Sequence, residues 1–306
     1  MKRKMAKTYF EILQLEADRE VARVYKRSLD RIRGKVSNFY EKYEKNGKLN
    51  YTEAVKYNRL ANFEKELKAE LKILGNELYA VDKMHVQKLY NAGYYEIAYK
   101  TSLKAKMNVS FTRPTKDTLT GIVNELVAGA TINERIARMI TNDAFKYTSV
   151  VRSGLAKELS VSDLRKNIKD IFDKNAYEAT RIVRTETHRA LIEGNLEGMQ
   201  EAENLGVKIK KMWVASLDDR TRDTHSELDG TKVDLDEDFE WIAADGESVS
   251  ASAPGLSGNA GEDINCRCAV IEVIEGFEPE FRSNARGEKI DYVSRETYYK
   301  MNEIKI

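Results

Sequence analysis

The chain has 306 residues, 42% of them hydrophobic and 33% charged, with a formal net charge of +1. That balance excludes a globally basic polyanion binder, although it leaves room for a local basic face. No apolar run approaches the roughly 18 residues that a membrane span needs, and two cysteines one residue apart exclude a disulfide framework.

The basic start, M-K-R-K-M-A-K, leads into Glu11 and Glu16 rather than an apolar stretch. No secretory signal is expected, so the chain should stay in the cytoplasm where it is made. Over residues 4–43 apolar side chains recur at three and four: Ile12, Leu15, Val21, Val24, Leu29, Ile32, Val36, Phe39, Tyr43. That spacing predicts one buried helical stripe. Lysine and arginine outnumber acids two to one over the first fifty residues. A basic helix on nucleic acid is one reading. A solvated face is the favoured one, because Glu11, Glu16, Glu20 and Asp30 dilute the field. Lys45-Asn46-Gly47-Lys48 predicts a turn. A second helix is expected over 52–74, stopped by Gly75. A third is expected over 77–106, with Tyr79, Tyr90, Tyr94, Tyr95 and Tyr99 as packing residues and His85 packed among them. Together these predict an elongated bundle.

Arg113-Pro114 marks a boundary. A short helix over 116–127 follows, and Thr131-Ile132-Asn133-Glu134 has the form of a capping box opening a helix to about 159. Ser162 is expected to cap a short helix to 172, and another helix covers 176–205. Gly194 and Gly198 within it suggest close packing or a kink. Beyond Gly206 the period becomes β-like over 207–214. Leu228-Asp229-Gly230-Thr231 predicts a hairpin turn. Residues 245–261 read as a long surface loop, and 268–274 as a strand. The fold class is therefore α+β: a long-helix region over 1–112, a small mixed domain with a hairpin and a final strand over 115–276, and a charged arm over 277–306, read as ordering against a partner with plain disorder as the rival reading.

Two constellations carry chemistry. His225, Cys266 and Cys268 offer the nitrogen and sulfur donors that zinc prefers, with Asp223, Asp218 or Glu262 as a fourth ligand. Without metal, the two cysteines are small buried apolar residues. The second is a set of opposite charges. Arg181, Arg184 and His188 share a helix side with Glu186 and Arg189 nearby, and Asp218, Arg220 and Arg222 lie in a loop that would face them. Arg–carboxylate pairs locking helix to hairpin are expected there. No nucleophile stands beside a base, which argues against an enzyme.

R-x-x-R-T-E-x-x-R-A, then W-x-A-x-x-D-x-R-T-R-x-x-H-x-x-L-D-G, then N-C-R-C, resembles the phage Mu F-like head morphogenesis family, the minor head proteins of tailed phages and prophages. The resemblance covers about 178–274 and rests on Arg184, Glu186, Trp213, Asp218, Arg220, Arg222, His225, Gly230, Cys266 and Cys268. It implies a virion or procapsid component in few copies, made in the host cytoplasm. Its implied partners are the portal protein and the major capsid or scaffold protein, with double-stranded DNA contacted through phosphates. Many relatives carry a histidine shortly before the Cys-x-Cys pair, where this chain has Asp263-Ile264-Asn265. A second resemblance is to ADP-ribosyltransferases, which use an arginine, a Ser-x-Ser strand and Glu-x-Glu. Here these are Arg184, Ser250-Ala251-Ser252 and Glu278-Pro279-Glu280. A free DNA-binding module is the third reading, without a nucleic-acid motif to support it.

Overall fold

The computed structural model describes residues 9–44, 49, 51–105, 111–127, 129–277, 279–283 and 289–292. Six helices come first: α1 (Tyr9–Tyr43), α2 (Tyr51–Val55), α3 (Arg59–Ala105), α4 (Lys116–Asn124), α5 (Ile132–Ala156) and α6 (Val161–Asn204). Short elements follow: β1 (Ile209–Val214), α7 (Asp223–Glu227), β2 (Lys232–Asp234), β3 (Phe239–Ile242), β4 (Ser248–Ala251), α8 (Ala260–Asp263), β5 (Ala269–Ile274), β6 (Phe281–Ser283) and β7 (Lys289–Asp291). This is the expected α+β class. Among the described residues no helix is long and apolar enough to cross a membrane.

The helices are longer and fewer than their sequence punctuation suggests. Gly75 does not end a helix but lies inside α3. A methyl group placed on it would sit 3.1 Å from Ile140, so the glycine serves a close helix approach instead of a C-cap. The break instead precedes α3, where Tyr57 and Asn58 take positive φ. The two helices expected over 162–172 and 176–205 are one, α6. Asn175 lies at the expected gap, but it is buried and its amide donates to the Tyr147 hydroxyl at 3.1 Å. Ser160, not Ser162, caps α6, accepting from the Asp163 amide at 3.2 Å. The turn expected over 45–48 lies outside the described residues, as does most of the arm over 277–306.

The chain divides into two compact units. One comprises Glu16–Lys83 and Thr131–Val183. In it the α1 stripe from Val21 to Phe39 is buried, with Phe63, Leu67, Leu71 and Leu74 of α3 and Leu164, Ile168 and Phe172 of α6. Phe39 stacks on Phe63 at 4.5 Å between ring centroids. Arg152 clamps Glu64 with two bonds of 2.6 and 2.8 Å, a fork geometry that fixes orientation as well as distance. The capping box is present as expected. The Thr131 amide donates to Glu134 at 2.8 Å, and Thr131 Oγ1 accepts from the Glu134 amide at 3.3 Å.

The other unit comprises Met1–Leu15, Met84–Ala130 and Arg184–Ile306. Ile12 is exposed there, because Leu13 takes the inward position. Of the tyrosines, Tyr90 and Tyr94 are buried and hydrogen-bonded to Glu197 and to the Thr112 carbonyl, whereas Tyr95 and Tyr99 are exposed. His85 is buried, as a packing role requires. Gly194 and Gly198 bring α6 against α3. A methyl group on Gly194 would lie 2.1 Å from the Tyr90 carbonyl oxygen, and one on Gly93 would lie 2.3 Å from that of Leu191. The helix backbones are therefore in direct contact.

The strands complete this unit. A three-stranded antiparallel sheet has the order β2-β1-β5, with Trp213 opposite Val270. A separate hairpin, β3-β4, sets Phe239 opposite Ala251 and Trp241 opposite Val249. The Leu228–Thr231 turn forms, with Gly230 at φ +84 and the Thr231 amide bonded to the Leu228 carbonyl at 2.9 Å. It leads from α7 into β2 rather than joining two successive strands. The long loop expected over 245–261 is also interrupted, because β4 and α8 lie within it. Ser248-Val249-Ser250-Ala251 alternates exposed and buried, and Val249 and Ala251 join the buried cluster that holds both tryptophans. At the start of the arm, Arg282 of β6 is buried. It bonds to the Asp229 carboxylate at 2.8 Å and to the Ala215 carbonyl at 2.6 Å.

Candidate metal centre

The buried core around Trp213 joins Ile97 of α3, Ile192 and Met199 of α6, Phe239 and Trp241 of β3, and both cysteines. His225 enters it from α7. Its ring meets Trp213 and Trp241 edge-on, at centroid distances of 5.2 and 5.9 Å. Aromatic walls of this kind exclude water and fix the imidazole plane.

The two cysteines arrive from the other side, on the loop between α8 and β5. His225 Nδ1 is 3.6 Å from Cys266 Sγ and 3.6 Å from Cys268 Sγ. All three donor atoms lie within 4.8 Å of one another and all three residues are buried. Zinc bonds of about 2.3 Å to sulfur and about 2.0 Å to nitrogen, at a tetrahedral angle, imply a nitrogen–sulfur separation of about 3.6 Å. The residues therefore fit a zinc ion in both donor chemistry and spacing. The hydrogen bond from the Cys266 thiol, followed by the bond to His225, holds the Cys268 thiol well below its ordinary range. Its bond to Cys268, together with burial, pushes Cys266 well above that range. Thiolate is the form that ligates a metal.

The other nitrogen of His225 faces Glu262. The carboxylate oxygen lies 2.7 Å from Nε2, without hydrogen-bond geometry between the two. The same oxygen accepts from Thr224 Oγ1 at 3.2 Å and from the Trp241 indole at 3.3 Å. A carboxylate behind a ligating histidine fixes which nitrogen faces the ion. Glu262 thus faces the Nε2 side of His225, away from the nitrogen nearest the two thiols. Asp223 is exposed in the first turn of α7 and stands outside the group. Asp218 is engaged with Arg267 and Arg220.

The polar motif on α6 grips the cysteine loop through its main chain. Thr185 Oγ1 accepts from the Asn265 amide at 3.3 Å, and burial holds the His188 imidazole below the ordinary range. Arg222 donates to the Ile264 carbonyl at 2.8 Å. Asn265 takes φ +59, a left-handed conformation that asparagine tolerates. The residues expected to lock helix to hairpin through Arg–carboxylate pairs fall instead into two groups, one on the helix and one at the loop. Asp218 joins Arg220 and also Arg267, a partner that sequence spacing did not single out. The Arg267 guanidinium holds the Asp218 carboxyl well below the usual range. Glu186, fully buried, pairs with Arg189 at 3.4 Å, and Arg189 also reaches Glu125, Glu193 and the Ile122 carbonyl. Arg184 is exposed on α6. Ser250 bonds to Asp238 at 2.8 Å on an exposed strand edge, and Glu278 lies outside the described residues.

A long-helix region carrying a small antiparallel module with a buried Cys-x-Cys and histidine cluster defines the class. Residues 146–271 match the family described as phage Mu protein F like protein. The chain is 30% identical over 282 residues to the minor head protein GP7 of Bacillus phage SPP1, covering 90% of this chain and 87% of that one. It is 31% identical over 287 residues to the NAD(+)--arginine ADP-ribosyltransferase EFV of Enterococcus faecalis, covering 93% of this chain but 57% of that protein. An uncharacterized protein of Haemophilus influenzae matches at 30% identity over 162 residues, 31% of its length. The chain thus spans little more than half of the Enterococcus relative. No solved structure matches. The chain belongs to the phage Mu F-like family of minor head proteins.

Proposed function

We propose that this chain is a minor head protein of a tailed phage or prophage. In this reading it is made in the host cytoplasm, built into the virion head, and docks on the portal and the adjoining capsid or scaffold protein. The observation that carries this is the alignment with the SPP1 minor head protein over nearly the whole of both chains. Residues 1–112 would supply the docking helices, 115–276 the bracing module, and 277–306 an arm ordered by a partner. Contacts to packaged DNA, where made, run through phosphates and are salt-sensitive. Co-purification with the cognate portal at moderate salt, and the intact chain in assembled heads, are the expected results. A folded chain absent from heads would overturn the proposal.

Within the module, His225, Cys266 and Cys268 would hold zinc and Glu262 would orient His225. Zinc there supplies structural cross-linking, tying α7 to the start of β5 and offsetting the ordering entropy of the intervening segment. The second reading, transfer of ADP-ribose from NAD, is favoured by one observation, the similarity to the Enterococcus enzyme. The exposed, Asp238-bound Ser250 gives it no support. NAD-glycohydrolase turnover that falls on Glu280→Gln would establish that reading over the structural one.

A further inference from the structure

A cleft of about 550 Å³ opens on the unit built from Glu16–Lys83 and Thr131–Val183. It is lined by Asp30, Arg33 and Gly34 of α1 and by Ser162, Arg165, Lys166 and Lys169 of α6. Four cations thus face one carboxylate. Lys169 is shared with Asp173 one turn along α6, which leaves Arg33, Arg165 and Lys166 as the main source of positive field. Arg165 is anchored by a bond to Ser37 Oγ, whose own hydroxyl donates to the Arg33 carbonyl at 2.8 Å. Even so, Nε of Arg33 and Nε of Arg165 are both shielded from water and have no hydrogen-bond partner among the described residues. A shielded donor without a partner is costly and points to a missing acceptor. Two guanidinium groups with unused Nε donors suit a tetrahedral oxyanion, which accepts several charge-assisted bonds at once. Gly34 keeps the floor open, since a methyl group there would meet nothing within 4 Å.

We propose that this cleft binds phosphate groups, with the phosphodiester backbone of double-stranded DNA as their source. The choice of DNA rests on the head-protein reading, whereas the anion chemistry stands on the cleft alone. Its size exceeds what a single phosphate fills, which favours a stretch of backbone. The test uses the full chain, a labelled 20-base-pair duplex in fluorescence anisotropy across about 50–200 mM salt, and inorganic phosphate in calorimetry. Three proteins are compared with wild type: Lys166→Gln with Lys169→Gln, Gly34→Glu, and Gly34→Ala. Neutralising Lys166 together with Lys169, the latter already shared with Asp173, should lower the slope of log affinity against log salt by about 1–2. Gly34→Glu should weaken the duplex at least tenfold, because it adds a carboxylate while leaving every cation in place. Gly34→Ala should bind as wild type does. Inorganic phosphate bound by wild type and lost in Gly34→Glu, with no duplex binding, would keep the anion site and overturn DNA as its source. Unchanged duplex and phosphate binding in folded Gly34→Glu and the double variant would overturn the proposal. Portal co-purification of the same variants scores the head role separately.

Discussion

The contact between α3 and α6 gives a prediction with a sign opposite to helix propensity. Alanine exceeds glycine by about 1 kcal/mol in a helix interior, so Gly194→Ala on a free helix would stabilise. Here the added methyl would lie 2.1 Å from the Tyr90 carbonyl oxygen, about 1 Å inside the 3.0 Å closest approach that real side chains show. The obstacle is backbone, which cannot rotate away. The helices must part by about 1 Å, and a gap of that size forfeits a quarter to a half of the dispersion energy along the seam. Gly93 facing Leu191 and Gly198 facing Ile97 are on the same seam and open with it. Overpacking of this kind costs about 3 kcal/mol or more. Less the propensity gain, the net loss is about 2–3 kcal/mol, or about 5–10 °C in melting temperature. Gly34→Ala is the matched control: the same atoms are added where nothing lies within 4 Å, so a gain of up to about 1 kcal/mol is expected. Thermal unfolding followed by circular dichroism, with calorimetry, reads both. If Gly194→Ala melts at or above the wild-type temperature, the close-approach argument fails.

Two further outcomes follow from the buried groups. Protein purified without chelator should contain one zinc ion per chain, and a chelator should lower its melting temperature. Cys268→Ser should carry no zinc and ignore the chelator, with a loss of about 4 kcal/mol relative to wild type in zinc held a thousandfold above its dissociation constant. Zinc-free wild type with a chelator-insensitive melt would return the cysteines to plain core residues. Asp143 of α5 is buried, with neither carboxylate oxygen hydrogen-bonded among the described residues. Burial raises its pKa to about 7, Glu178 adds to the rise, and Lys146 at 3.8 Å opposes it. The folded chain therefore holds this proton more tightly than the unfolded chain does. Stability from Asp143 is complete below about pH 4 and is lost as pH rises to about 7. Asp143→Asn should remove that slope and be more stable at pH 8 by about 1–2 kcal/mol, allowing for screening. A variant with the wild-type pH dependence would show that the proton sits elsewhere.

Local signals in the sequence were reliable where the chemistry is local. The Thr131 and Glu134 capping box needs only its own four residues, and the strand at 269–274 needs only its β-branched run. Signals that depend on a distant partner misled or stayed silent. Gly75 has the composition of a helix end, yet its role is set by Ile140, which sequence adjacency does not reveal. Asn175 looks like a break until Tyr147 is seen to receive its amide. β4 carried little β signal of its own, since serine and alanine are weak strand formers and only the Ser-x-Ser resemblance placed a strand there; Val249 and Ala251 are buried in the cluster with the tryptophans. In the metal centre, the three donors could be named from residue type alone. Glu262 could be named only as one of several acids. Its place behind His225 depends on how α8 packs on α7, which no spacing rule encodes.

The grip of Thr185 on the cysteine loop runs through the main-chain amide of Asn265. This decides what can be transplanted. A chimera that takes the loop and its strands from a relative would still be recognised by the resident helix, because an amide is the same in every residue. A chimera that replaces the helix segment and loses the threonine removes the acceptor of the Asn265 peptide N–H. The smallest portable piece is therefore discontinuous: two stretches of chain, eighty residues apart at that contact, that must travel together.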